Sequence, residues 1–188
     1  MDEPAGRIAA RHAVSRTARA LERSARLDPG EAAVHLDHHL ERERRSFESI
    51  GSFTPLPAAA ERARERYLAD LDRLVAAHRP DVPDQPVSAA AVCRRRPEPK
   101  GPLDGFGYSY LDDQLERHGL ERPALLTYEG LWGSGSEYAY ETLNLVDGRR
   151  SVGQIRDAVS AIYGPVPEAQ VAGFLDALEA IGLLDCGG

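Results

Sequence analysis

The chain has 188 residues, 42% of them apolar and 28% charged, and a formal net charge of −7. That is the profile of an ordinary globular protein, long enough for one compact domain or two small ones. No run approaches the roughly 20 apolar residues of a membrane span, and the opening MDEPAGRIAARH is never apolar enough for a signal peptide, so a cytoplasmic protein with no membrane partner is expected. Residues 1–100 hold 18 Lys+Arg against 16 Asp+Glu, a net of +2, whereas residues 123–188 hold three arginines against nine acids, a net of −6. The acidic C-terminal third excludes nucleic acid as a partner, because basic side chains must neutralise phosphates.

Three helices are predicted in the first 80 residues. Ala10, Val14, Ala18, Leu21 and Ala25 recur at helical spacing, and Asp28-Pro29-Gly30 stops the helix. Asp28 is placed to cap a second helix with Pro29 in its first turn. Its stripe is Ala33, Leu36, Leu40, Phe47 and Ile50, broken where Glu43 and Arg44 fall, and Gly51 is the expected end. Thr54-Pro55 opens the third, which carries Ala60, Ala63, Tyr67, Leu71, Leu74 and His78 at steps of three or four. The short connections imply antiparallel neighbours. Stripes so narrow and alanine-rich call for very close packing or for another surface to lie on.

Prolines 80, 83, 86, 97, 99 and 102 mark residues 80–105 as an extended linker. Tyr108 to His118 reads as a short helix closed by Gly119, and Pro123 to Tyr128 (PALLTY) as the best strand. The loop GLWGSGS follows, with a helix capped by Ser136. Ala139, Leu143 and Val146 continue that helix to a turn at Asp147-Gly148. Ser151 and Gln154 have capping-box spacing at the start of the next helix, whose stripe is Val152, Ile155, Val159 and Ile162. Gly164-Pro165 ends it. A last helix from Pro167 uses Val171, Phe174, Leu178 and Ile181, and Leu183-Leu184 begins a wing strand. The fold class expected is mainly α: an antiparallel three-helix segment (1–79), a proline-rich linker (80–105) and a winged-helix-like module (106–188).

No catalytic constellation emerges. His35, His38 and His39 lie within one helical turn, with Glu31 a turn earlier, and two imidazoles with a carboxylate can ligate zinc or another transition metal. A helical metalloenzyme is therefore one reading of the cluster, and a solvated helix face the other; otherwise no cofactor is expected. Cys93 and Cys186, far apart in sequence, read as free reduced thiols. Arg149 and Arg150, in the turn between two helices, can pair with acidic groups of a peptide or protein partner. Trp132, Tyr138 and Tyr140 can form an aromatic contact surface, or core.

The run YETLNLVDGRRSVGQIRDAVSAIYGPVPEAQVAGFLDALEAIGLL (140–184), with GPL at 101–103, resembles the C-terminal winged-helix region of bacterial zinc-aminopeptidase-family, metallopeptidase-like proteins. ESIGSFTPLPAAAERARERYLADLDRLVAAHRPD (48–81) is similar to the helical segment before that region. The family's two-zinc α/β catalytic domain has no counterpart here, so the resemblance implies a non-catalytic interaction or accessory module. A looser similarity, through the DG-basic-Ser-Val-x-x-Ile turn and helix, runs to PqqD-like modules. It implies recognition of a leader or substrate peptide, although that fold uses a three-stranded sheet and one strand is predicted here.

Overall fold

A computed structural model describes residues 3–53, 56–83, 91–99, 103–105 and 108–187. Among them are seven α-helices and four short strands, so the mainly helical expectation holds. The chain forms two compact units, Met1–Asp84 and Gln85–Gly188.

The first unit contains α1 (Glu3–Ser24), α2 (Pro29–Phe53) and α3 (Ala58–His78), with α2 packed on both others. The Asp28 carboxylate accepts the Glu31 N–H at 3.1 Å, as an N-cap should. Asp37 pairs with Arg79, Arg44 with Asp72 and Phe47 with Tyr67, so α2 and α3 run antiparallel. Gly51 does not end α2, which continues to Phe53; glycine weakens a helix by only about 1 kcal/mol. The expected start of α3 at Thr54-Pro55 lies outside the described residues.

The buried face of α1 is one residue out of step with its apolar pattern. Ala13, Thr17, Ala20 and Ser24 point inward, while Val14 is 60% exposed. Thr17 decides the rotation by satisfying buried polar groups of α2 and α3. On α3, Leu71 and Val75 are buried, whereas Leu74 and His78 face outward.

The second unit holds β1 (Val92–Arg95), β2 (Asp104–Gly105), β3 (Tyr108–Ser109), α4 (Tyr110–Arg117), α5 (Gly135–Asn144), α6 (Val152–Tyr163), α7 (Glu168–Ala180) and β4 (Leu184–Gly187). Strand β1 falls inside the expected linker, in the proline-free gap between Pro86 and Pro97, where every residue can donate to a ladder. It pairs antiparallel with β4, Val92 opposite Gly187 through Arg95 opposite Leu184. Val92 also bridges Ser151 on its other side. Strands β2 and β3 form a separate two-residue ladder.

The apolar spacing of the last three helices is realised except at Ile162, which is half-buried and outside the core. Ala139, Leu143, Val146, Ile155, Val159, Val171, Phe174, Leu178 and Ile181 join one core with Leu183 and Leu184. Ser151 and Gln154 make the reciprocal capping box, at 3.2 and 2.9 Å. Helix α5 is capped by Ser134 rather than Ser136, and the Glu137 carboxylate accepts the Ser134 N–H at 2.8 Å.

PALLTY is not a strand but a 3-10 turn, Ala124–Thr127. Pro123 fixes the entry, Leu125 is driven into the helical core, and the turn's carbonyls press on Gly135, where a Cβ would lie 2.5 Å from the Leu125 oxygen. The glycines that follow are seats rather than hinges. A Cβ on Gly130 would stand 2.0 Å from the Tyr138 hydroxyl, and one on Gly133 would meet the Tyr163 ring at 2.7 Å.

Gly130→Ala should therefore cost about 1–3 kcal/mol by overpacking. Gly173→Ala, in open space on α7, should stabilise by about 0.5–1 kcal/mol. Denaturant unfolding of the two variants checks both signs.

Candidate functional site

The turn between α5 and α6 is built on Asp147. Its Oδ1 accepts the N–H groups of Arg149 and Arg150 at 2.9 and 3.0 Å, and its Oδ2 accepts from the Arg150 guanidinium at 2.7 Å. Hydrogen bonding, led by the Arg150 N–H, holds the Asp147 carboxyl below its ordinary range, so the turn keeps its charged anchor at neutral pH. Gly148 adopts φ +74°, which suits glycine.

Against this turn lies a residue that sequence reasoning did not place there. A Cβ on Gly148 would meet Arg94 Cγ at 2.9 Å and Nε at 3.2 Å, so the Arg94 side chain lies across the glycine. The Val92–Ser151 bridge holds β1 beside the turn. Arg94 and Arg149 are exposed, and Arg150 is half-buried on Asp147. The Arg94 side chain thus lies beside a turn that carries Arg149 and Arg150, in a unit whose other charges are mostly acidic. The only sequence signal for Arg94 is the Arg94–Arg96 run, which local pattern cannot attach to a turn more than 50 positions away.

The five residues offered for partner contact do not form one surface. Tyr138 is fully buried: its hydroxyl donates to the carbonyls of Tyr163 at 2.5 Å and Gly164 at 2.9 Å, and its ring packs edge-on against Tyr128. It is a core pin, not a contact residue, and burial pushes its hydroxyl well above the usual tyrosine range. Trp132 is half-buried, and its backbone N–H donates to the Tyr163 carbonyl at 3.0 Å. Tyr140 is 69% exposed. Trp132 therefore stands by the end of α6, and Arg149 and Arg150 by its start, about 18 Å apart along a helix of this length.

The histidine cluster divides. His35 and His39 are buried in the first unit, while His38 and Glu31 are half-exposed. Among the described residues no three His, Cys, Asp or Glu side chains gather as a group that could hold a metal ion. Glu43, which broke the expected stripe, is fully buried and takes a two-pronged ion pair from Arg16 at 2.6 and 2.8 Å. Thr17 donates to the Ala13 carbonyl at 2.9 Å, so its oxygen accepts from His39 Nε2 at 3.0 Å and from the Tyr67 hydroxyl at 3.4 Å. The other ring nitrogen, Nδ1, accepts from Arg42 at 3.3 Å. This network assigns His39 the neutral Nε2–H tautomer. Burial lowers its pKa to about 4; Arg42, His35 and Arg16 act in the same direction, and Glu43 opposes them.

The thiol expectation is overturned. Cys93 and Cys186 form a disulfide across β1 and β4, because the strand register sets them directly opposite each other. No family model, curated protein or solved structure matches the chain.

His39 yields a pH prediction. Between about pH 6.5 and 4 the unfolded state binds more protons at this ring than the folded state, so stability falls as pH drops through that window. The full effect is about 3 kcal/mol. Denaturant unfolding at pH 7 and 4.5 should show His39→Gln losing markedly less stability than the parent. An imidazole titrating near 6.5 by NMR would contradict the assignment.

Proposed function

We propose that this protein is a non-catalytic interaction module whose second unit engages an acidic segment of a protein or peptide partner. The observation that carries the reading is the corner where Arg94, on a strand, meets Arg149 and Arg150, in a turn. Guanidinium forks match carboxylates in geometry as well as charge. The negative charge of the surrounding segment makes the corner selective, since acidic ligands are repelled elsewhere on it. The resemblance of residues 140–184 to the region of metallopeptidase-like proteins that lies outside their catalytic domain supports an accessory role.

A second reading is peptide recognition of the PqqD-like kind within a winged-helix-like module. Three consecutive helices, α5, α6 and α7, followed by β4, which pairs with β1, support it. The two readings share the corner and differ in the partner, a neighbouring protein surface or a leader peptide.

A fluorescent glutamate-rich peptide should bind the full chain at low ionic strength and be released by salt. Arg94→Ala/Arg149→Ala should weaken that binding at least tenfold, and undiminished binding would remove the corner from consideration. Incubated with zinc, the full chain should leave aminoacyl-nitroanilide substrates intact; metal-dependent hydrolysis would sink the non-catalytic reading.

A further inference from the structure

Strand β1 is held by one covalent bond and by a short set of polar contacts. Cys93 is its single buried side chain, at 2% exposure, while Val92 is half-buried and Arg94 and Arg95 face solvent. Its other contacts include the ladder to β4, the bridge to Ser151, the Arg96 N–H that donates to the Leu183 carbonyl at 2.9 Å, the Arg94 side chain across Gly148 and the solvent-exposed Arg96–Asp185 ion pair. The core of α5, α6 and α7 is otherwise self-sufficient: Tyr138, Ile155, Val159, Phe174 and Leu178 bury one another, and Leu183 and Leu184 carry β4 into it. Strand β4 continues directly from α7 and is further tied by the Cys186 N–H, which donates to the Glu179 carboxylate at 2.9 Å. Breaking the sulfur bridge therefore removes the covalent restraint on β1 while leaving the helices and β4 in place.

We propose that the Cys93–Cys186 disulfide is a redox latch on the basic corner, a proposal that rests on the corner being the partner site. In the oxidised state the latch holds β1 against β4 and so keeps Arg94 on Gly148, beside Arg149. The two sulfurs differ in access, since Cys93 is buried and Cys186 is half-exposed. An external thiolate attacks Cys186 Sγ, and the Cys93–Cys186 bond breaks. Cys93 leaves as a thiolate and takes a proton, and a mixed disulfide remains on Cys186. A second thiol resolves that intermediate, releasing Cys186 as a thiol. The net change is two electrons and two protons delivered to the protein and two small thiols, or one dithiol, oxidised to a disulfide. Once reduced, β1 separates from β4 and withdraws Arg94, and the corner loses one of its two exposed guanidinium groups. In a reducing compartment a disulfide is characteristically transient or redox-sensing, so a cytoplasmic location would favour this role over that of a permanent staple.

Trypsin provides the direct test on the full chain, because the Arg94–Arg95 and Arg95–Arg96 bonds lie in and beside β1. Cleavage there, identified by mass spectrometry, should rise at least tenfold when dithiothreitol reduces the bond, with helical circular dichroism unchanged. Cys93→Ser/Cys186→Ser should cut at the fast rate in both buffers and respond to neither. Equal cleavage of the oxidised and reduced chains, or loss of helical signal on reduction, would overturn the latch; the latter would make the disulfide a plain structural staple. The glutamate-rich peptide separates this from the binding reading. Weaker binding to the reduced chain, and no such redox effect in Arg94→Ala, supports the coupling; equal binding by both forms refutes it. If neither form binds the peptide, the corner is not the partner site and the coupling falls with it, while the cleavage rates still decide whether β1 is latched.

Discussion

The basic corner of the second unit depends on the seam between β1 and β4. A strand of four residues with one buried side chain has little hydrophobic reason to stay in place. The bridge between Cys93 and Cys186 closes a separation of 93 residues, and closing a loop of that length removes much of the unfolded chain's freedom. Because the seam holds, Val92 can bridge Ser151 at the start of α6, and Arg94 can lie across Gly148. The basic corner is thus made of two pieces of chain that this seam and the Val92–Ser151 bridge bring together.

The rest of the unit is organised around a tyrosine. Tyr138 fills the centre of the core, yet its hydroxyl needs a partner, and the carbonyls of Tyr163 and Gly164 supply two. That arrangement fixes the exit of α6 against α5. It also explains the glycine-rich loop: Gly130 leaves space for the phenol, and Gly133 for the neighbouring Tyr163 ring. Composition suggests flexibility there, but the contacts show a tightly fitted surface.

The first unit follows different rules. Its interior is lined by alanines and by a polar stripe, His35, His39 and Glu43, spaced four apart on α2. A buried carboxylate is tolerable only when paired, and Arg16 pairs it through two hydrogen bonds while keeping part of its own side chain in water. His39 remains neutral because burial and surrounding cations disfavour a second proton. Such a network specifies one register of the helices more sharply than small apolar residues do.

Sequence alone determined the helical class, the boundaries around Asp28 and Ser151, and the buried faces of α5, α6 and α7, because there apolar side chains recur at the helical period and the capping residues act locally. It misassigned the face of α1, since Thr17 and Ser24 look like surface residues and the partners that draw Thr17 inward lie on other elements. It misread PALLTY, where β-propensity yields to Leu125 burying against neighbouring helices. The disulfide, the Tyr138 pin and the meeting of Arg94 with the Asp147–Arg150 turn were decided by tertiary structure alone. Each joins positions far apart in the chain, and no local periodicity encodes which distant residue will complete a strand pair, a hydrogen bond or a charged corner.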